Sequence, residues 1–132
     1  MIFILVADFE PRITKPLECS AKKVLDSAQA NYETFHVPGA VELPILAQRL
    51  IRERAPQAII AIGCVIQGET EHFRYVLRAC TDGLTRVCLD GSVPIIQGIL
   101  ACPNFQTAWN RRNLGKNYAS TALRMIKILK DV

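Results

Sequence analysis

Residues 58–84 read AIIAIGCVIQGETEHFRYVLRACTDGL, and this stretch decides the fold. An unbroken apolar run, Ala58 to Ile66, stops at Gln67-Gly68. Phe73, Val76, Leu77, Cys80 and Leu84 then recur at helical spacing, so a helix from about Thr70 to Leu84 is predicted. A strand apolar on both faces that turns straight into a helix is the unit of a parallel sheet covered on both sides. The join also matters chemically. Backbone N–H groups at a helix start have no partner within the helix and attract anions. His72 falls in or near that first turn, where an imidazole can move a proton beside a bound anion.

The pattern repeats outward in both directions. Ile2 to Val6 is a short apolar strand, and Asp8 to Ile13 reads as a loop. A helix follows through Leu17, Ala21, Val24, Leu25 and Ala28, with Thr14 as its cap and Pro16 in its first turn. Glu33 to Val37 alternates like a strand and Pro38-Gly39 breaks it. Leu43, Leu46, Ala47, Leu50 and Ile51 define a second helix. Beyond the opening stretch come a strand at Val93 to Leu100, a short helix at Asn104 to Arg112, and a final helix carrying Ala119, Ala122, Leu123, Ile126 and Leu129. The alternation predicts a three-layer α/β/α sandwich around a central parallel, flavodoxin-like sheet, with residues 1–132 as one domain.

Composition narrows the classes. Half of the residues are hydrophobic and 21% are charged, as in an ordinary globular protein. The net charge of +4 is spread along the chain with no basic arm, which points away from nucleic acid. No segment reaches the length of a membrane helix and no signal peptide is evident, so a cytoplasmic location is expected. Five cysteines without a CxxC pair suggest reduced, mostly buried thiols rather than a metal or disulfide framework. Cys64 in a strand and Cys80 on an apolar helix face read as packing residues.

In an open parallel sheet, ligands bind beyond the carboxyl ends of the strands. Those ends are Asp8-Phe9-Glu10, Pro38-Gly39-Ala40, Gln67-Gly68-Glu69 and Ala101-Cys102-Pro103. Each candidate has a bland reading as well. Glu42, in a first helical turn, suits the helix dipole. Thr70 can be a plain N-cap, His72 a structural histidine, and His36 reads as structural within its strand.

Four blocks together resemble the lumazine synthase family. Val37 to Pro44 resembles its Val-Pro-Gly-Ala-Phe-Glu-Ile-Pro, and Gly63 to Val76 its Gly-Ala-Val-Ile-Arg-Gly-Glu-Thr-Pro-His-Phe-Asp-Tyr-Val. Val93 to Leu100 resembles its Ile-Pro-Val-Ile-Phe-Gly-Val-Leu, and Asp8 to Thr14 its Arg-Phe-Asn-x-x-Ile-Thr. Order and separation match over nearly the whole chain. The resemblance implies condensation of 5-amino-6-(D-ribitylamino)uracil with 3,4-dihydroxy-2-butanone 4-phosphate to 6,7-dimethyl-8-ribityllumazine, with release of phosphate and water. It implies no metal and no organic cofactor.

By the same resemblance, Phe9 stacks on the pyrimidine. Ala40, Val41 and Glu42 hold the ribityl chain and ring edge, and Cys64, Val65 and Ile66 read the ring. Glu69 and Thr70 seat the phosphate, His72 transfers protons, and Arg111 clamps the phosphate, with Arg112 as the alternative. It also implies a homopentamer with active sites between subunits, to which Gln97 is lent by a neighbour. The chain begins almost within its first strand, and a free pentamer rather than a capsid is expected. Departures fall at Gln97 and Val41, where the family has Phe, at Gln67 (Arg), at Arg74 (Asp), and at Asn113-Leu114-Gly115, where the lysine of Asn-Lys-Gly is missing and Lys116 is a candidate substitute. A non-catalytic flavin or lumazine carrier on the same fold is the alternative. A generic flavodoxin-like domain would not account for the four blocks.

Overall fold

A computed structural model describes residues 1–68 and 71–132. Among them the chain runs β1 (Ile2–Ala7), α1 (Pro11–Ser27), β2 (Tyr32–Val37), a 3-10 turn (Ala40–Glu42), α2 (Leu43–Arg54), β3 (Ala58–Ile66), α3 (His72–Gly91), β4 (Ile95–Cys102), α4 (Phe105–Asn110) and α5 (Gly115–Lys130). The strands form one all-parallel sheet in the order β2-β1-β3-β4. The central pair, β1 and β3, is in register from Ile2 opposite Ala58 to Val6 opposite Ile62.

Alternation along each strand splits the core in two. Ile2, Ile4 and Val6 of β1 and Ile60, Ile62 and Cys64 of β3 face Ile13, Leu17, Ala21 and Leu25 of α1 and Ala119 and Ala122 of α5. Phe3, Leu5 and Ala7 with Ile59, Ala61 and Val65 face Leu43, Ala47 and Leu50 of α2 and Cys80 and Leu84 of α3. This is the three-layer sandwich that the doubly apolar strands predict. Each of the large side chains among them, once fully buried, contributes about 1.5–3 kcal/mol of transfer free energy.

Several boundaries differ from the sequence reading, each for a local reason. α1 starts at Pro11, six residues before Leu17, the first residue of the apolar spacing. Pro11 occupies the first turn, where a missing N–H costs nothing, and Pro16 lies inside the helix. Thr14 is therefore not the cap; it is buried in the first turn, where its hydroxyl donates to the Glu10 carbonyl at 3.4 Å. β4 begins at Ile95 rather than Val93, because Pro94 can offer only its carbonyl, which accepts from the Ile59 N–H at 2.9 Å. α3 runs on to Gly91, with Val87 and Cys88 continuing its apolar face. α5 starts four residues before Ala119, at Gly115, whose backbone lies directly against the Leu17 carbonyl of α1.

Two substitutions test this framework. Gly115→Ala forces a methyl into a backbone carbonyl and must part α1 from α5, so a loss of about 1–3 kcal/mol in urea unfolding is expected. Ala55 ends α2 in the left-handed region, at φ 45°, while its N–H caps the Ile51 carbonyl. Ala55→Gly keeps that bond, relieves the strain and is expected to add about 0.5–1 kcal/mol.

Candidate active site

The chain passes from β1 outward to β2 and then returns to place β3 on the other side of β1. The loops that leave β1 and β3 therefore diverge, and a crevice opens where strand order reverses. A cleft of about 420 Å³ lies there, lined by residues from the ends of β1, β2 and β3 and the start of α3, while the loop after β4 does not line it.

Phe9, directly after β1, forms one wall and is 67% exposed. Pro38 to Glu42, after β2, form another. The 3-10 turn carries Ala40 inward, where Ala40 packs beside Gly63, and leaves Val41 46% exposed at the mouth. The Glu42 carboxylate folds back over the loop. A methyl group at Gly39 would stand 3.3 Å from its Oε1, so a side chain at that position would crowd the carboxylate. Cys64, Val65, Ile66 and Gly68 of the β3 end supply the floor, and His72, Phe73 and Val76 close the far side.

His72 is the first residue of α3 and is exposed to solvent. Its ring thus stands at the positive end of a twenty-residue helix, facing the cleft. Glu69 and Thr70, the predicted phosphate seat, lie outside the described residues.

The cleft brings together Phe9, Ala40, Val41, Glu42, Cys64, Val65, Ile66 and His72. Gln97 and Arg111 do not line it. Gln97, mid-strand on β4, donates from Nε2 to the Thr85 hydroxyl of α3 at 2.9 Å. Arg111 follows α4 and is exposed, and among the described residues its side chain has no hydrogen bond or ion pair. Its neighbour Arg112 is occupied: the guanidinium lies 3.9 Å over the Trp109 ring and donates to the Trp109 carbonyl at 2.7 Å. Phe73 and Val76 read as core from their spacing alone. They line the cleft from the first two turns of α3, and their closeness to His72 in sequence was the available clue.

His36 is bound rather than idle. Its Nδ1 is 2.6 Å from Asp8 Oδ1, and its Nε2 is 3.7 Å from Glu18 Oε1, which places it in a bridge between β2, the β1 loop and α1. Burial pushes the Cys64 thiol up to about 12, with the neighbouring Cys102 adding to the effect. Cys64 therefore meets the cleft as a neutral, weakly polar surface and not as a nucleophile. Among the described residues no group of His, Cys, Asp and Glu is arranged to hold a metal, and no helix is long and apolar enough to cross a membrane.

Comparison with known proteins gives one consistent result. The model of the family described as 6,7-dimethyl-8-ribityllumazine synthase matches residues 1–130. Proteins of that name from Stenotrophomonas maltophilia strain K279a and Coxiella burnetii strain Dugway 5J108-111 are each 38% identical to this chain. They align with 98% of it and with 88% and 91% of their own lengths, respectively. One from Mycobacterium avium strain 104 is 42% identical over 98% of this chain and 84% of its own. The chain belongs to this family.

The thiols provide a test at the cleft. Burial raises Cys64 to about 12, Cys80 to about 11 and the Tyr118 hydroxyl to about 12. Iodoacetamide at neutral pH is expected to modify exposed Cys19 and to leave Cys64 and Cys80 intact in the folded protein. These folded values lie above the unfolded ones, so their stabilisation is complete below about pH 8.5 and is lost as pH rises toward the folded values. The melting temperature is expected to fall between about pH 9 and 11, and Cys64→Ala is expected to flatten that decline.

Proposed function

We propose that this member of the 6,7-dimethyl-8-ribityllumazine synthase family condenses 5-amino-6-(D-ribitylamino)uracil with 3,4-dihydroxy-2-butanone 4-phosphate. The chain is an enzyme, a transferase of riboflavin biosynthesis by family, and the choice of substrates is our reading. The observation that carries it is the cleft, where Phe9, Ala40 to Glu42, Cys64 to Ile66 and His72 converge. These are the positions that the family resemblance assigns to ring, ribityl chain and proton transfer.

The roles follow from the chemistry of each wall. A heteroaromatic ring stacks on Phe9, with the apolar floor of Val65 and Ile66 beneath it. The turn at Ala40 to Glu42 offers backbone groups and one carboxylate to the polyol. The amine of the pyrimidine attacks the ketone to form an imine with loss of one water, phosphate departs by elimination, and the ring closes on the remaining carbonyl with loss of a second water. Holding the two reactants side by side supplies on the order of 7–11 kcal/mol in well-oriented cases. His72 takes and returns the protons that these steps exchange, a contribution typically of about 10²–10⁴-fold.

Phosphate binding needs a cation that the described cleft lining does not contain, apart from His72 when protonated. Arg111 is the candidate, because Arg112 is already held on Trp109. Since neither Arg111 nor Gln97 lines the cleft of its own chain, both fit a site shared between copies, as in a homopentamer. In that arrangement Arg111 of one copy meets a phosphate held at the start of α3 in its neighbour.

Turnover is checked by the absorbance of the lumazine product from the two substrates. His72→Ala is expected to lower kcat by about 10²–10⁴-fold with a small change in KM. Arg111→Ala is expected to raise KM for the phosphate substrate, and Arg112→Ala to leave it near the wild-type value. A silent Arg111→Ala beside an active effect of Arg112→Ala would reverse that assignment. Tight binding of a ribityl pyrimidine without turnover would favour the carrier reading. Light scattering is expected to give the mass of five chains, and a single-chain mass would remove the shared site.

A further inference from the structure

Phe9 lies between two carboxylates, and each is tied to a different element. On one side, Asp8 is bound to His36 of β2 at 2.6 Å, and the Asp8 N–H donates to the Val37 carbonyl. On the other, Glu10 receives both Nε and Nη2 of Arg12, at 2.6 and 2.9 Å. Glu10 also carries the turn into α1: its backbone is left-handed, at φ 61° and ψ 63°, and its carbonyl accepts from Ile13 and Thr14. That conformation suits Gly and Asn, whereas a longer side chain adopts it only when its surroundings impose it. The family pattern has Asn at this place, and here it is Glu10.

Arg12 is the side chain in contact with this residue. Its fork holds the Glu10 carboxylate, whose side chain is only 13% exposed, and its guanidinium lies on Phe105, 4.2 Å from the ring centre. Phe105 in turn stacks on Trp109 at 6.0 Å, and Trp109 carries Arg112 on its face. Arg12 thus spans from the β1–α1 turn to α4 across the surface, its own side chain 66% exposed. The same hydrogen bonds hold the Glu10 carboxyl below the usual carboxylate range. An exposed ion pair by itself adds little to global stability. Here the two ends belong to one turn, so the contact acts on local geometry, and the residue that this geometry presents is Phe9.

We propose that Arg12 is a positioning residue for the ligand site: by holding Glu10 in its left-handed conformation against Phe105, it fixes the direction in which Phe9 faces the cleft. The part concerning ligand rests on the function proposed above, while the part concerning the turn stands on the geometry alone.

The test is a double-mutant cycle in the full-length protein with Arg12→Gln and Glu10→Asn. Hydrogen exchange of the segment from Asp8 to Thr14 is measured together with KM for each substrate. Arg12→Gln is expected to speed exchange in that segment by roughly three- to tenfold, with exchange in β3 unchanged. It is expected to raise KM for the pyrimidine by a similar factor and to leave KM for the butanone phosphate within about twofold. Glu10→Asn is expected to resemble wild type, because asparagine accepts the left-handed backbone, and adding Arg12→Gln to it is expected to have no further effect. Unchanged exchange in Arg12→Gln, or an equal increase when Arg12→Gln is added to Glu10→Asn, would overturn the proposal. So would loosened exchange with both KM values unmoved. Wild-type protein without turnover would strike the functional reading instead, and the exchange arm would still decide the role of Arg12 in the turn.

Discussion

The pairing of β1 with β3, and the burial of both strands on both faces, is the constraint on which the remainder of the molecule depends. From Ile2 opposite Ala58 to Val6 opposite Ile62, every residue of the pair is buried, and its side chains alternate between two helical layers. Such a ribbon must be central, because an edge position would leave its backbone groups unpaired. Once it is central, β2 and β4 are fixed to its flanks and the chain has to reverse direction across the sheet between them. The cleft is the geometric result of that reversal. Fold and site thus share one cause: the same apolar strands that force the layers also open the crevice at their carboxyl ends.

The chemistry of the cleft follows from what such an edge offers. Its walls are mostly apolar, its polar side chains are few, and its donors are largely backbone groups at turns and at a helix start. A site of this kind orients reactants and moves protons rather than supplying a strong nucleophile. The state of Cys64 agrees, since the thiol that touches the cleft is held protonated by burial. On the described lining, His72 is the one imidazole, a group able both to donate and to accept a proton, and it stands where the helix dipole favours a nearby anion.

What the sequence made legible was whatever periodicity encodes. Ala58 to Ile66 is a strand to the residue, because a run of buried apolar side chains admits little else. The starts of α1 and α5 were less visible. Pro11 and Gly115 begin those helices through backbone properties, a locked φ in one case and a missing side chain in the other, and neither adds to an apolar stripe. The same division holds at the site. Strand-end loops announced Phe9, Ala40 and His72, whereas Phe73 and Val76 were concealed by a spacing that core residues share. The attachment of Gln97 to Thr85 and the choice between Arg111 and Arg112 depend on tertiary contacts, which no local pattern carries. The left-handed Glu10 belongs to this second class: a residue type that suits a helix interior sits instead at a sharp turn, held by a partner two residues away.

These details bear on one another through the aromatic surface of the cleft. With Val41 where the family has Phe, and with Gln97 turned onto Thr85, the aromatic side chains on the described lining besides His72 are Phe9 and Phe73. Phe73 is part of the α3 packing, so the freely presented ring is that of Phe9. Concentrating the stacking surface on one exposed ring makes affinity sensitive to how well that ring is held before the ligand arrives. A mobile ring must be ordered on binding, at a cost on the order of 0.5–1.5 kcal/mol for a side chain and more where backbone is involved. A short turn, closed by paired carboxylates at Asp8 and Glu10, removes much of that cost in advance. The thinning of the aromatic walls and the stiffening of the Phe9 turn are therefore complementary, because fewer stacking partners can serve the same ring when the remaining one is already in place.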